Sequence, residues 1–120
     1  FYEWNCVDGL GQRDLNDGSI TFLENIEEPE QLLKHIASQT EKDDAEIYVL
    51  EDFHDFISER NIKIQLRQLA EKLRFYRKHI IIVSSVLSLP IELEKYITVL
   101  ELPLPGRVDL FRGMIYVVVV

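Results

Sequence analysis

Residues 47–55 read Ile-Tyr-Val-Leu-Glu-Asp-Phe-His-Asp, an apolar run that ends in the carboxylates Glu51, Asp52 and Asp55. If the run is a strand, the acids fall at its C-terminal end, which is where open α/β sheets bind their ligands. An Asp at that edge can hold a magnesium ion through water in enzymes that hydrolyse nucleotides. The same acids can equally solvate a turn and cap the next helix. His54 lies between Asp52 and Asp55, where a metal or acid–base role is conceivable, but no partner set with ligand spacing surrounds it.

No phosphate cradle is written in the chain. Asp8-Gly9-Leu10-Gly11 lacks a following Gly-Lys-Ser/Thr and has no third glycine at dinucleotide-fold spacing. Residues 8–19 read instead as a long, turn-rich loop in which glycine supplies positive φ. His35 sits beside an apolar helical stripe and reads as a surface or partly packed histidine. Cys6 is the single cysteine, so no internal disulfide forms and a reducing compartment fits.

A second candidate is a cluster of bases. The net charge is −8, and residues 1–59 hold sixteen acids against three bases, whereas residues 60–78 hold seven bases and one acid. Overall acidity argues against nucleic-acid binding, which needs a basic surface. Within the basic segment Lys63, Arg67 and Arg74 fall four and seven residues apart, close to one helical face. Two readings stand side by side. The face is solvated, with Lys72, Arg74, Arg77 and Lys78 complementing the helix C-terminal dipole, or it docks an acidic partner.

The elements that would position these groups follow from the apolar pattern. One domain is the prior for 120 residues, and 47% hydrophobic content supports a core. Residues 2–7 predict a strand. Glu27-Glu28-Pro29-Glu30 starts a helix, and Leu32, Leu33, Ile36 and Ala37 form its stripe. The run at 47–50 predicts a strand buried on both faces, as in a parallel sheet covered by helices. Phe53, Phe56 and Ile57 predict a short turn packing back. Ile62, Leu66, Leu69, Ala70, Leu73 and Tyr76 predict the longest helix, over 61–77. A strand follows at 79–83, a turn and short helix at 89–94, and a strand at 97–102. A helix start is expected at 108–111 and a strand at 114–120. Such alternation predicts a three-layer parallel α/β domain with right-handed crossovers. The apolar tail 114–120 is too short to span a bilayer. No signal peptide opens the chain, and a start without Met points to a piece of a longer protein.

With these elements in order, a resemblance comes into view. It is carried by Tyr-Glu-Trp-Asn, Val-Leu-Glu-Asp-Phe-His-Asp-Phe, Leu-Arg-Gln-Leu-Ala-Glu-Lys-Leu, His-Ile-Ile-Ile-Val-Ser-Ser, Leu-Pro-Ile-Glu-Leu-Glu-Lys and Leu-Pro-Leu-Pro. Taken together, the blocks resemble the N-terminal, degenerate RecA-like domain of a two-part AAA-type ATPase family encoded in algal plastid genomes and cyanobacteria. The resemblance runs from Tyr2 to Val108. It implies a P-loop-NTPase-like parallel sheet, degenerate and truncated at the N-terminal side, with a complete AAA module C-terminal to it. It also implies ATP and magnesium in the parent protein, an association of that protein into a homo-oligomer, and a cytoplasmic or plastid-stromal location. A link to inorganic-carbon use and photosynthetic regulation belongs to the same implication.

Carried over residue by residue, the resemblance sets Asp52 at the magnesium-associated Asp of the AAA core. Phe53 stands where a catalytic Glu would follow, and a phenyl ring cannot orient or deprotonate water. Ser85 falls near the polar sensor residue of the fourth strand. Lys95-Tyr96 stands in place of the arginine offered to a neighbouring subunit's phosphate. The strand and loop for the phosphates would lie upstream of Phe1. Residues 106–120 depart from the family pattern. The resemblance thus implies a non-catalytic domain that packs against or regulates the AAA module. Two alternatives remain: a weak ATP site completed by an upstream phosphate loop with Asp52 and Ser85, and a nucleotide-independent docking domain that uses the basic helix.

Overall fold

Seven strands line up in one sheet, in the order β3-β2-β1-β4-β5-β7-β6. They are β1 (Tyr2–Asn5), β2 (Gly9–Arg13), β3 (Ile20–Phe22), β4 (Glu46–Glu51), β5 (Lys78–Ser84), β6 (Thr98–Pro103) and β7 (Met114–Val119). Two helices, α1 (Pro29–Gln39) and α2 (Arg60–Leu73), join β3 to β4 and β4 to β5. The computed structural model describes residues 1–23, 26–85, 89–103 and 114–120. The helix expected at 108–111 lies outside the described residues.

The sheet is mixed, not parallel throughout. β1, β4 and β5 run parallel. Around them, β2 and β3 form an antiparallel meander on one side, and β7 runs antiparallel to both β5 and β6 on the other. The expected loop at 8–19 therefore contains a strand. Gly11 eases it: a Cβ there would lie 2.6 Å from Ile20 Cδ1 and 2.7 Å from its Cγ1, so with any larger residue the Ile20 side chain of β3 would have to shift. Positive φ appears at Gly9 and Gly18, the residues that bound the hairpin's turns.

Both helices share one core. The α1 stripe (Leu32, Leu33, Ile36) and the α2 stripe (Ile62, Leu66, Leu69, Leu73) join Trp4, Tyr48, Leu50, Ile80 and Ile82 in a single cluster, and α1 packs on α2. Pro29 opens α1 at a position where its missing N–H costs nothing. α2 ends at Leu73, four residues short of the expected Arg77, and a turn leads into β5. Among the described residues helices cover one face of the sheet, so two layers are present where three were expected. The strand at 47–50 is accordingly buried on one face only: Glu46, Tyr48 and Leu50 are buried while Ile47 is 42% exposed. A continuous apolar run looks the same from sequence whether or not an element covers its second face.

Candidate functional site

β4 and β5 bring Asp52 and Ser85 to the same edge, since Glu51 pairs with Val83 at the strands' C-terminal ends. Both side chains are exposed. Asp52 turns the chain in the left-handed region, at φ 56°, the single non-glycine residue with positive φ among the described residues. Its N–H donates to the Val83 carbonyl at 3.0 Å, and its own carbonyl accepts from the Asp55 N–H at 3.4 Å. The side chain makes no capping hydrogen bond, so the turn is held by backbone and by what packs beneath it. Beneath it lies Phe53, fully buried, which meets Trp4 and Phe56 edge-on at ring-centre distances of 5.7 and 6.1 Å. Trp4 is anchored in turn by its Nε1–H, which donates to the Ile26 carbonyl at 2.9 Å. His54 Nε2 lies 3.2 Å from Asp55 Oδ1, and His54 Nδ1 is buried without a hydrogen-bond partner among the described residues.

The neighbour of β4 at this edge is β1, and β1 ends in a closed turn. Asn5 Oδ1 accepts the N–H groups of Val7 (2.9 Å) and Asp8 (2.7 Å), and Asn5 Nδ2 donates to Asp8 Oδ2 at 3.3 Å. A phosphate loop needs successive backbone N–H groups aimed at the ligand. Here the amides are taken by the chain's own asparagine, and the chain doubles back into β2. Among the described residues no three His, Cys, Asp or Glu side chains converge as a metal site. The described residues of this edge do not fit a magnesium–nucleotide complex.

The opposite edge carries a group that sequence reasoning placed wrongly. Lys78 was expected to complement the end of the long helix in solvent. It is instead the first residue of β5, fully buried, with its Nζ 2.9 Å from Glu46 Oε1. It also donates to the Asp44 carbonyl, and Tyr48 Oη donates to Glu46 Oε2. Burial would push the Glu46 carboxyl up, but the hydrogen bonds from Tyr48 and Lys78 and the lysine charge outweigh it and hold the carboxyl below its usual range. Burial and the bond to Glu46 push the Tyr48 phenol far up. Tyr2 stacks on Tyr48 at 4.8 Å and is raised by burial and by Glu46. A lysine that follows four polar or aromatic positions, Arg74 to Arg77, reads as helix end; only the pairing of 78 with 46 reveals its place.

The basic residues separate. Arg67 is exposed on α2, and Lys63 is half-buried on the same helix. Arg74 caps α2 and lines a cavity of about 630 Å³ with Tyr76, His79, Lys95 and Tyr96. Tyr96 Oη donates to Glu71 Oε1 at 2.6 Å, which ties the short turn Ile91–Tyr96 to α2. His35 is half-buried, and burial holds its imidazole below the usual range.

A mixed α/β fold with a parallel centre to its sheet is consistent with what sequence comparison finds. The model of the family described as the SpoVK-like AAA ATPase N-terminal domain matches residues 1–102. The chain belongs to that family.

Relatives of this SpoVK-like N-terminal domain carry the name uncharacterized AAA domain-containing protein ycf46. The one from Pyropia yezoensis is 28% identical over 122 residues, covering 95% of this chain and 22% of the relative. The one from Guillardia theta is 30% identical over 114 residues, covering 95% and 21%. The one from Gracilaria tenuistipitata var. liui is 35% identical over 107 residues, covering 88% and 20%. The chain thus spans about a fifth of the length of the curated relatives it matches. No solved structure matches it significantly. Among the described residues no helix is long and apolar enough to cross a membrane.

Proposed function

We propose that this SpoVK-like domain is a non-catalytic N-terminal part of an AAA ATPase, which packs against or regulates the ATPase module carried by the rest of the polypeptide. The observation that carries the reading is the closed end of β1. The strand beside Asp52 spends its terminal amides on Asn5, where a nucleotide hydrolase would present them to phosphate. ATP and magnesium then belong to the module in the parent protein, and oligomeric assembly belongs to that protein as a whole. A role in photosynthetic inorganic-carbon use, in cytoplasm or plastid stroma, is the physiological setting proposed for it. Calorimetry of this chain with magnesium-ATP tests the reading: the expected result is no binding in the micromolar range, and micromolar affinity overturns it.

One observation favours a second reading. Asp52 holds a left-handed backbone at a ligand-type sheet edge, and such strain collects at active sites. On that reading Asp52 and Ser85 complete a weak ATP site whose phosphate loop comes from elsewhere in the protein. Substitution of Asp52 separates the two.

A further inference from the structure

The sheet face turned away from the helices is apolar across its centre. Strand pairing aligns Val49, Ile81 and Val119 in one row, and Val83, Val117 and Leu100 in the next. The five valine and isoleucine side chains are half-buried, and Leu100 is 49% exposed. Ile47, one row away, is 42% exposed. Both helices pack together on the opposite face. The centre of the sheet, β1, β4 and β5, is parallel, the arrangement that in all-parallel sheets has both faces covered, and a contiguous apolar patch on a water-facing surface marks a contact site.

We infer that this face is covered by the apolar stripe of a helix from another part of the same polypeptide, which supplies the sheet's missing layer. The inference rests on the reading of the domain as one part of a longer AAA protein. Three observations select this occupant. The matched region makes up 22% of the Pyropia yezoensis relative, so most of such a protein lies outside the domain. A segment tethered to the domain meets the face at an effective concentration on the order of millimolar, which an untethered partner must match in solution. A second copy of the domain brings a net charge of −8 to a domain that itself carries −8, and self-repulsion opposes the pairing. Glu51, exposed at the end of the second row, adds a polar rim that a Lys or Arg beside the helix stripe would answer.

The test is thiol labelling in the full-length parent protein, in a cysteine-free background. Ile47→Cys and Leu100→Cys report the open face; Tyr76→Cys, at a matched exposure of 42%, reports the helix side. Circular dichroism verifies the fold of each variant. The expected result is labelling of the two face positions at least about tenfold slower than that of Tyr76→Cys, the protection of a closed local contact. The ratio should not change over a wide range of protein dilution. Equal rates overturn the inference, because the face then stands in water. Protection that disappears on dilution also overturns it, because the cover is then a second copy. Micromolar ATP affinity would sink the non-catalytic reading while leaving these labelling rates as they are.

Discussion

Lys78 and Glu46 stand directly opposite each other on adjacent parallel strands, with Lys78 Nζ 2.9 Å from Glu46 Oε1, in the layer beneath the helices. Every charged atom of the pair is engaged: the second carboxylate oxygen accepts from Tyr48, and the ammonium also reaches the Asp44 carbonyl. A buried pair of this kind fixes the register of its two strands, because a one-residue slip of β5 would send Lys78 to the other face and leave Glu46 alone.

Lys78→Met should destabilise the protein by about 3–5 kcal/mol, the scale for leaving one buried charge without its partner. The double variant Lys78→Met with Glu46→Leu should recover most of that loss, since both charges are gone. Urea denaturation followed by Trp4 emission measures both. A single variant as stable as the parent would show that the pair contributes nothing.

Stability should fall at both pH extremes, for different groups. The Glu46 carboxyl is held low in the folded protein, so its contribution is present above the unfolded value of about 4.3 and is lost as pH falls through the lower folded value. His35 is also held low by burial, so the unfolded chain takes up its proton first and stability begins to drop below about pH 6.5. The phenols of Tyr48 and Tyr2 are raised, so the unfolded chain loses those protons first and stability drops above about pH 10. Glu46→Gln should flatten the acid limb below pH 4.3, and Tyr48→Phe the alkaline limb. Denaturation midpoints against pH give the answer, and unchanged slopes would remove these groups from the account.

Gly9 and Gly18 both have positive φ, at 81° and 77°, yet they should respond differently to alanine. Nothing lies within 4 Å of a Cβ at Gly18, so the cost there is backbone alone, about 1 kcal/mol. At Gly9 the Cβ would sit 3.1 Å from the Ile26 carbonyl oxygen, the acceptor of the Trp4 indole. Gly9→Ala should therefore cost more and shift the emission of Trp4, the only tryptophan. Gly18→Ala should leave the emission in place.

Asp52→Asn should be near neutral for stability and Asp52→Ala should cost about 1 kcal/mol, because asparagine tolerates the left-handed region and alanine does not. In the parent protein Asp52→Asn should leave any ATPase rate within a few-fold. A loss of about a hundredfold, the scale of a catalytic acid–base group, would bring the hydrolytic site to this edge.

Arg67 and Arg74 are exposed on α2 and at its cap, and we propose that they steer an acidic partner. Arg67→Glu with Arg74→Glu should slow association within the parent assembly and weaken its salt dependence, with little effect on stability. Association rates against ionic strength check this, and an unaltered rate would leave the face as solvated surface.

Helix stripes and apolar runs were legible because burial imposes periodicity: Leu32, Leu33 and Ile36 point to α1, and 79–83 to β5, within a residue or two. The hairpin of β2 and β3 was not, because Gly9-Leu10-Gly11 has the composition of a turn and its pairing depends on Ile20 crossing Gly11. Strand direction was equally hidden. Nothing local to 97–102 or 114–120 distinguishes a strand that runs with β5 from one that runs against it. At the candidate site, Asp52 and Ser85 could be placed on one edge from the ends of two apolar runs. The closed turn of Asn5 and the burial of Lys78 depend on partners that sequence spacing does not give.

β7 comes last in the sequence and sits between β5 and β6 in the sheet. A ribosome makes β6 before its only sheet neighbour among the described residues exists, and it leaves the outer edge of β5 bare until residues 117–119 emerge to pair with 81–83. The nascent chain therefore carries an Ile-Ile-Ile-Val edge with unpaired N–H and C=O groups through the interval in which the rest of the core is already made. Slower translation across 84–120 keeps that edge open to other chains for longer.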